Sequence, residues 1–392
     1  MELFIILLSA IILAYLLISA AYQMILAIAS KTYKNKILTD SQAKISLLIL
    51  VPTYRSDAAI LESTRANLSL IQSLTHVHYL IVADSLQEHT KQSLREMGAD
   101  VLSVSFAKST KVKSIQAAMT GEQRLKGFDS VLILDADNVL HPDFYQASIS
   151  YRFAGFQVIQ GERLPANQNT GMAILDGLSE KANQEMLCKG ANQLGFSSKL
   201  TGSAMVFDYR LFEEVIAQCT AIGGFDKELE LLLTAKGIPI QYAPELAVYD
   251  EKVSSSADFA KQRGRWLESQ YTFLKKSIKP AVRLAFRGNF DYLHKSLQLA
   301  LPPRVLAPLV LVLLILTQAI LGNFLLAAGS LFTLLLLLGS YLIVIPSGMW
   351  RGKSTLILQT MPKLFSAGLN SLTWMKRSKK EFLHTTHKPI NS

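Results

Sequence analysis

The stretch Ser130–Asn138, which reads Ser-Val-Leu-Ile-Leu-Asp-Ala-Asp-Asn, decides the fold that this sequence predicts. Its apolar residues Val131–Leu134 are typical of a buried parallel strand. Asp135 and Asp137 follow directly, and open α/β sheets bind ligands at the carboxyl ends of such strands. Two carboxylates with one spacer can share a divalent cation and, through it, a diphosphate. Asp-x-Asp is also common in turns and helix caps, so the neighbouring segments must decide between these interpretations.

Short apolar runs alternate with segments of helical periodicity on both sides of this stretch. A strand over Ile45–Val51 precedes a helix over Ala58–Leu74, and strands near Tyr79–Ala83 and Asp100–Val104 follow, with a helix between them. The remaining predicted elements are a helix over Lys111–Lys126 and strands over Gln157–Gln160, Ser203–Phe207 and Pro239–Ala243. This alternation predicts an α/β fold with a parallel sheet wound by helical crossovers.

Apolar segments near both ends of the chain predict membrane helices. Residues 3–30 and 305–350 contain no charged side chain, and the mean hydropathy of the chain is +0.26. The first segment fits one span of about 20 residues, and the second fits a hairpin of two spans that turns near Gly322-Asn323. A cleaved signal peptide is the alternative for the first segment, but no basic residue precedes it and the apolar run is too long.

Basic residues beside these segments predict the topology. Lys31, Lys34 and Lys36 follow the first span, ten Lys/Arg and three acids occur over Lys252–Lys295, and eight against one occur from Arg351 onward. The positive-inside rule therefore predicts an integral protein of the inner or plasma membrane, with a cytoplasmic middle and tail and the amino terminus outside. The net charge of +10 lies mostly in these stretches, so membrane lipids are expected partners. Nucleic acid is not expected, because no binding motif accompanies the charge.

Another predicted strand ends in a carboxylate, at Asp84. In a doubly wound sheet such a group can accept hydrogen bonds from a base or a ribose. A helix cap before Glu88 is an equally good explanation of Asp84. Lys111 and Lys113 open the next predicted helix and could meet phosphates, although exposed lysines usually have no specific partner.

Three further segments beyond the first strands carry candidate residues. Thr201-Gly202-Ser203 precedes a predicted strand, and Gly223-Gly224 forms a flexible turn before Asp226. Asp226 is well placed to cap the helix that follows, which is the structural alternative to a catalytic role. The cluster Gln262-Arg263-Gly264-Arg265-Trp266 could clamp a diphosphate through arginine and stack a sugar on the indole. Its alternative is a membrane-surface helix with snorkelling arginines.

In this order, these residues resemble the membrane-embedded family 2 glycosyltransferases of the GT-A type, a branch containing the cellulose, chitin, hyaluronan and poly-N-acetylglucosamine synthases. Asp84 stands at the uridine-binding aspartate of the family, and Leu134–Asp137 matches its metal motif. Asp226 matches the catalytic aspartate, eleven residues before Gly237. Gln262, Arg265 and Trp266 match the Gln-x-x-Arg-Trp block.

The resemblance implies a Rossmann-like GT-A domain with a mostly parallel mixed sheet. It also implies an inverting transfer from a nucleotide-diphosphate sugar, UDP-GlcNAc or UDP-glucose, with Mg²⁺ or Mn²⁺ as cofactor. In that interpretation Asp137 and Asp135 hold the metal, Asp226 is the general base, and Arg265 neutralises the leaving diphosphate. The substrate-binding residues that it implies are Thr53, Asp84, Lys111, Asp135, Thr201, Gly202, Ser203, Gln262, Arg263 and Trp266.

Four positions depart from the pattern of the family. Phe225 precedes Asp226 where the family often has an acidic residue. Arg55 and Ser56 follow Pro-Thr-Tyr where Asn and Glu are usual, so part of the uracil contact must differ. Asn138 stands where some cellulose synthases place a metal-binding histidine, which leaves the metal to Asp137, the diphosphate and water.

The predicted organisation has five segments. They are a transmembrane helix over 1–30, a cytosolic glycosyltransferase domain over 31–267, interfacial amphipathic helices over 268–304, a transmembrane hairpin over 305–345 and a basic cytoplasmic tail over 346–392. Pro280 interrupts the interfacial segment. A stripe around Leu364–Trp374 either lies on the membrane as well or packs on the catalytic domain.

The acceptor is left open between a glycan and a lipid-linked molecule. Three spans are few for a polymer channel, so exopolysaccharide or surface-glycan synthesis would need an export partner or a homo-oligomer. The alternative is a single addition to a lipid acceptor, which an assay of product length would distinguish. A non-catalytic scaffold or export component with a degenerate nucleotide-sugar domain is a further hypothesis, which metal-dependent hydrolysis of a UDP-sugar would exclude.

Overall fold

An eight-stranded mixed sheet forms the centre of the computed structural model, which describes residues 2–34, 44–121 and 127–378. Its strands are β1 Leu47–Tyr54, β2 Val77–Asp84, β3 Asp100–Val104, β4 Ser130–Ile133, β5 Val139–Leu140, β6 Val158–Pro165, β7 Met205–Asp208 and β8 Gln241–Asp250. Their order across the sheet is β3-β2-β1-β4-β7-β6-β8-β5. Strands β3, β2, β1 and β4 run parallel, β7 is antiparallel to β4 and β6, β8 is parallel to β6, and β5 is antiparallel to β8.

Helices cover both faces of the sheet and form a separate bundle with the apolar segments. They are α1 Glu2–Lys31, α2 Asp57–Ile71, α3 Glu88–Glu96, α4 Lys111–Gly121, α5 Phe144–Phe153, α6 Gly171–Asn183, α7 Ala191–Gln193, α8 Tyr209–Ala217, α9 Phe225–Ala235, α10 Ser256–Ala285, α11 Phe290–Leu299, α12 Leu306–Ile320, α13 Phe324–Val344 and α14 Ser354–Ser378. A π-helical segment, Gln184–Gly190, joins α6 to α7. The last part of the helix predicted over Lys111–Lys126 lies outside the described residues.

The apolar run of β1 explains why the sheet is buried on both faces. Leu48 and Leu50 point into one core with α4, α8 and α9, while Leu47, Ile49 and Val51 point into the other with α2, α3 and α5. Side chains alternate between the two faces of a strand, so a slip by one residue would exchange the two sets. Because β1, β2 and β4 are parallel, their carboxyl ends lie together at one end of the sheet, as the α/β prediction requires.

Two described helices, α1 and α13, are long and apolar enough to cross a membrane. Helix α12 is apolar but has 15 residues, which corresponds to about 22 Å and is shorter than a hydrocarbon core of about 30 Å. Length therefore supports two of the three predicted spans and does not confirm the third. The turn predicted near Gly322-Asn323 is present between α12 and α13, where Gly322 has φ +71°.

Three tyrosines of α1 and of the residues that follow it bond to the remainder of the protein. The hydroxyl of Tyr15 donates to the carbonyl of Ala300 at 2.6 Å, and that of Tyr22 bonds to Nε2 of His294 at 2.8 Å. Tyr33 donates to the carbonyl of Tyr242, in β8, at 2.9 Å. These bonds fix α1 relative to both the sheet and α11.

Helix α10 is continuous over 30 residues, so the predicted domain boundary at residue 267 and the interruption at Pro280 both fall inside one helix. Helix α14 packs along α10, because Gly264 leaves room for it: a Cβ there would lie 2.5 Å from Cβ of Trp374. Leu364 and Ala367 of α14 are buried in the same contact. The stripe over Leu364–Trp374 thus packs on α10, which is the second of the two alternatives.

Candidate active site

A cavity of about 640 Å³ opens at the edge where β1 and β4 end. Its lining brings together residues from five elements or loops that are far apart in the sequence. The predicted site residues among them are Lys111, Asp135, Asp137, Thr201, Gly202, Asp226, Gln262, Arg263, Arg265 and Trp266. The convergence that a transferase site requires is therefore present, and most of the predicted residues take part in it.

The loop after β4 presents its two carboxylates to this cavity. Nζ of Lys111 forms an ion pair with Asp135 and also donates to the carbonyl of Gly202 at 2.8 Å. The backbone N–H of Asp135 donates to Oγ of Ser203 at 3.0 Å. Lys111 and Ser203 thus hold Asp135 against the Thr201–Ser203 loop. Asp137 is only 2% exposed although it lines the cavity.

Asn138 orients Asp137 and faces the protein interior. Its side-chain amide donates to Asp137 at 3.2 Å and to Asp250 at 3.0 Å, and its Oδ1 accepts from Ser203. Asn67 donates to its backbone carbonyl at 3.0 Å. Asn138 is fully buried. Where the family can have a metal-binding histidine, this chain therefore has a side chain that supports the Asp135–Asp137 loop, the candidate metal loop, from the interior.

The donor set of this loop fits a hard divalent cation that takes few protein ligands. Asp135 and Asp137 both line the cavity. Elsewhere in the described residues, no group of three His, Cys, Asp or Glu side chains could hold a metal alone. Mg²⁺ commonly takes one or two carboxylates and completes its shell with substrate phosphates and water, and Mn²⁺ accepts the same oxygen ligands. The two aspartates can hold either ion together with a diphosphate.

Asp226 lies in the first turn of α9, after an N-cap residue, Gly224, with φ +71°. Because Gly224 is the N-cap of α9, the alternative interpretation of Asp226 as the capping residue of this helix is wrong. Its carboxylate faces the cavity, and Nζ of Lys227 lies 3.3 Å from its Oδ2. Glu228 fixes the preceding loop, because it accepts from the backbone N–H of Thr220 at 2.9 Å and of Ala221 at 2.7 Å.

Phe225 occupies the position where the family often has an acid. It is buried, and Nζ of Lys111 lies 5.1 Å from the centroid of its ring. A Cβ at Gly202 would lie 3.6 Å from the same ring. The aromatic side chain therefore supports Lys111 and the Gly202 loop from below by a cation–π contact and packing.

The Gln262–Trp266 cluster lies on α10 and lines the cavity, with the side chain of Arg263 largely buried and Trp266 38% exposed. The burial of Arg263 against Asp176 argues against the alternative of arginines that snorkel to a membrane surface. Arg263 forms an ion pair with Asp176, and its guanidinium is 4.1 Å from the ring centroid of Trp266. Burial lowers the pKa of Arg265, while the charge of Asp135 opposes that change. Within the described chain, Oε1 of Gln262 is buried without a hydrogen-bond partner. Gln262 therefore has an acceptor available for a ligand hydroxyl.

Backbone strain marks the same edge of the sheet. In the described parts of the chain, the non-glycine residues with positive φ are Arg55 at 49°, Ser85 at 60° and Ala204 at 53°. Arg55 and Ser85 directly follow β1 and β2, and Ala204 directly precedes β7. Such conformations cost of order 1–3 kcal/mol and cluster at functional sites. No sequence pattern indicated these three positions.

Three of the substrate-binding residues that the resemblance implied do not line the cavity: Thr53, Asp84 and Ser203. Oγ of Thr53 donates to the carbonyl of Val51 at 3.2 Å, and Ser203 bonds within the metal loop, so both support the backbone. Asp84 is fully buried at the end of β2, and its Oδ1 accepts from Ser85 at 2.9 Å. Its Oδ2 has no hydrogen-bond partner among the residues described.

The sequence interpretation missed Arg163, which lines the cavity from β6. It donates to Oδ1 of Asp250 at 2.6 Å and to the carbonyl of Thr201 at 3.3 Å, and it pairs with Glu180 at 3.4 Å. Burial alone would raise the pKa of Asp250, but Arg163 and Lys252 hold it well below its ordinary value. This ion network joins β6 and β8 beneath the metal loop. Nothing in the spacing of these residues indicated it.

The model of the family described as glycosyltransferase like family 2 matches residues 44–269, more than half of the chain. The chain belongs to this family. The predicted family is thereby confirmed, whereas the branch of the polymer synthases stays a prediction. No curated protein matches this family 2 glycosyltransferase by sequence.

Solved structures resemble this glycosyltransferase in fold at low identity. A mannosyltransferase from Pyrobaculum calidifontis, in complex with GDP-mannose and Mn²⁺, is 16% identical, covers 93% of this chain and 99% of its own, and has a TM-score of 0.56. A glucosyl-3-phosphoglycerate synthase from Mycobacterium tuberculosis, with Mn²⁺ and UDP-glucose, is 14% identical over 58% of this chain and 79% of its own, with a TM-score of 0.40. The same enzyme with Mg²⁺ and UDP is 13% identical, covers 54% of this chain and 72% of its own, and has a TM-score of 0.35. The first likeness shows that the fold is shared beyond the residues that the family model matches.

Proposed function

We propose that this protein transfers a hexosyl or N-acetylhexosaminyl group from a UDP-sugar, UDP-GlcNAc or UDP-glucose, to an acceptor at the membrane, with inversion at the anomeric carbon. The observation that carries the proposal is the single cavity that Asp137, Asp226 and Arg265 line together. These residues come from a strand end, a helix start and a long helix that are distant in the sequence. Their convergence gives one site a metal-binding loop, a candidate base and a cation for the leaving group.

The donor half of the site would be built on the carboxyl end of β4. Asp137 and Asp135 would hold Mg²⁺ or Mn²⁺, which when bound would neutralise charge on the diphosphate. Lys111 and Arg265 add fixed positive charge where the leaving group develops negative charge.

Asp226 would act as the general base toward the acceptor. The acceptor oxygen forms the new bond to the anomeric carbon, the bond from that carbon to the diphosphate oxygen breaks, and the hydroxyl proton passes to the carboxylate of Asp226. Lys227 at 3.3 Å holds this carboxylate in position. The indole of Trp266 and the amide of Gln262 line the same cavity and would bind sugar by stacking and hydrogen bonding.

The membrane setting of this site is part of the proposal. Apolar side chains of α1 such as Phe4, Ile11 and Ile18 are 69%, 68% and 70% exposed, which suits contact with lipid. With the basic flanks, they support an inner- or plasma-membrane protein with a cytoplasmic catalytic domain and an external amino terminus. Its role would be surface-glycan or exopolysaccharide synthesis, with a partner or a second copy if a polymer is exported.

The substitution Asp226→Asn tests the assignment of the base. Turnover is expected to fall by at least about a hundredfold, because general base catalysis contributes roughly that much. Binding of the donor should be unchanged, since the metal loop is untouched. The measurement is UDP release and sugar transfer by the purified full chain with Mg²⁺ or Mn²⁺, together with calorimetric titration of the UDP-sugar.

The matched control is Asp143→Asn, which neutralises an exposed aspartate outside the cavity and should retain full activity. Near-normal turnover of the Asp226 variant would exclude the base role. Activity that persists after chelation of divalent cations would contradict the metal site.

A further inference from the structure

The cavity continues from the active site to the helices of the membrane bundle. Beyond the Asp226 region it is lined by Gln23 of α1, by Gly368 and Ser371 of α14, and by the linker Leu301–Leu306, which leads from α11 into α12. The same cavity thus extends from Asp226 to Leu306, where the apolar helix α12 begins. A molecule held in the membrane can reach the active site along this route.

Arg304 is the charged residue of that linker. Its Nη1 donates to the carbonyl of Ser179 at 2.5 Å, and its Nη2 donates to Oδ1 of Asn183 at 2.8 Å. The guanidinium also lies 5.3 Å from the ring centroid of Tyr341. All of these contacts are with neutral groups, and no ion pair of Arg304 with a carboxylate is found in the described ranges. The guanidinium of Arg304 is therefore oriented by neutral partners.

Neighbouring helices hold this linker in place. The hydroxyl of Tyr15 donates to the carbonyl of Ala300, and the amide of Gln270 donates to the carbonyls of Leu299 at 2.9 Å and Leu301 at 2.8 Å. A charged side chain on such a fixed backbone pays little ordering entropy when it binds a ligand. Arg304 is thus pre-organised for an anion.

The charge of the whole cavity points the same way. Eight basic and five acidic side chains line it. Two of the basic side chains, Arg163 and Arg263, are paired with Asp250 and Asp176 behind the lining, so the surplus is one positive charge. The charge of a nucleotide-diphosphate sugar is balanced by its divalent cation, so the donor does not remove the surplus. Of the other cations, Lys111 is paired with Asp135. An anionic group on the acceptor would meet the remaining charge at Arg304.

We propose that the acceptor is a membrane lipid with a phosphate that binds Arg304 and a head-group hydroxyl that extends to Asp226. This inference rests on the proposed transferase function. Leu301, Val305 and Leu306 line the cavity beside Arg304 and would contact the apolar chain of the lipid. The hydroxyl oxygen forms the bond to the anomeric carbon, the diphosphate leaves with the electrons of the broken bond, and Asp226 takes the proton.

Binding of defined lipids to the detergent-solubilised full chain tests this site in the absence of donor. Phosphatidylglycerol, which has hydroxyls beyond its phosphate, is compared by native mass spectrometry with diacylglycerol of the same acyl chains. Phosphatidylglycerol should bind about tenfold more tightly, the gain that a charge-assisted hydrogen bond gives. Equal affinity overturns the proposal. Inorganic phosphate that displaces phosphatidylglycerol at equal concentration also overturns it, because the site would then select a soluble anion.

Two substitutions at Arg304 and one control locate the effect. Arg304→Gln should remove the preference for phosphatidylglycerol, while Arg304→Lys should retain most of it. Arg287→Gln removes an exposed arginine outside this cavity and should change nothing. A preference that survives in Arg304→Gln overturns the site. The comparison of the two lipids on the unmodified protein stays decisive even if Arg304→Gln does not fold.

The failure of this inference is distinguishable from failure of the proposed function. Lipid binding is measured without donor, so a lost preference overturns the lipid site alone. Absence of metal-dependent UDP-sugar hydrolysis by the unmodified chain overturns the transferase function on which the inference rests.

Discussion

Single buried polar residues set the positions of the catalytic side chains. The side-chain amide of Asn138 donates to both Asp137 and Asp250. Ser203, which lies just before β7, accepts a hydrogen bond from the backbone N–H of Asp135. An unsatisfied buried polar group costs about 1–3 kcal/mol, so each of these side chains fixes the conformation of its loop. The positions of Asp135 and Asp137 therefore depend on Asn138 and Ser203, which lie behind the lining of the cavity.

Gly224→Ala is expected to destabilise the protein more than Gly237→Ala. The two glycines have φ of +71° and +72°, so an alanine suffers the same backbone strain at each. A Cβ at position 224 would also lie 2.6 Å from Cβ of Ser269, whereas nothing lies within 4 Å at position 237. The extra cost should be about 1–3 kcal/mol. Thermal unfolding of both variants in detergent measures the difference, and equal losses would contradict it.

Motif spacing was sufficient to predict most of the site at this scale. Asp135, Asp137 and Asp226 were found because strand ends and helix starts converge at one edge of an α/β sheet. Arg163 was missed because its partner Asp250 is 87 residues away, and only the fold pairs β6 with β8. Arg304 was missed because a lone arginine before an apolar segment looks like any membrane-flanking charge.

Among the elements, α10 links the active site to the carboxyl-terminal helix. Its first half presents Gln262–Trp266 to the cavity and packs on α14, while its second half passes through Pro280. Exposed apolar side chains of that second half, Ile278, Val282 and Phe286, fit the predicted interfacial position, which stays a prediction. The helix thus joins the predicted catalytic and interfacial segments into one rigid element.

Gly264→Ala should loosen α14 from α10. The added Cβ would lie 2.5 Å from Cβ of Trp374 and 2.9 Å from the carbonyl oxygen of Ser371, so the helices must separate at a cost of about 1–3 kcal/mol. Limited proteolysis should then cut more rapidly in residues 345–353, which connect α13 to α14. Gly177→Ala is the matched control in another helix, because its Cβ would make only an ordinary contact of 3.6 Å with Pro165. An unchanged cleavage rate in Gly264→Ala would show that α14 is not held by this contact.

Element boundaries were the part of the fold that the sequence predicted least well. Strands β1, β2, β3, β4 and β7 and the helical hairpin were placed within about three residues, because each has a continuous apolar pattern. Strands β6 and β8 extend beyond their predicted ends, to Pro165 and Asp250, and the short strand β5 was not predicted. The sequence analysis placed an interruption at Pro280 because it treated the segments before and after this proline as separate helices, whereas both belong to α10. A proline removes one helical hydrogen bond, and here the buried neighbours Phe273, Ser277 and Ala281 keep the helix continuous.

In the molecule as a whole, the catalytic domain and the apolar helices share a packed interface. A Cβ at Gly190, in the π-helical segment, would lie 2.2 Å from the carbonyl oxygen of Leu26, so α1 touches the catalytic domain backbone to backbone. His294 stacks on Phe196 with ring centroids 4.3 Å apart and bonds to Tyr22 of α1. This interface is built from apolar and neutral polar contacts.

His294 should make the stability of this interface depend on pH. Burial, aided by the charge of Lys295, lowers its pKa from 6.5 to about 3. Between these values the unfolded chain binds a proton that the folded protein does not, so stability falls as pH drops below 6.5. The loss should reach about 2 kcal/mol at pH 5 and vanish above the ordinary pKa. The midpoint of thermal unfolding in detergent at pH 7 and pH 5 measures it.

His294→Gln is the comparison variant, since glutamine can still bond to Tyr22 but does not titrate. Its midpoint should change less between the two pH values than that of the unmodified protein. The same change in both proteins would assign the pH dependence to other groups.

In the proposed membrane setting, the three tyrosine bonds of α1 and of the residues that follow it would link the tilt of α1 to the tilt of the whole protein. Because Tyr15, Tyr22 and Tyr33 are anchored along the length of the protein, α1 cannot adjust its angle independently when the lipid is too thin or too thick. Hydrophobic mismatch would then incline the entire enzyme and change the height of the catalytic cleft above the headgroups. Lipid thickness would in this way become a determinant of how easily an acceptor reaches the sugar donor.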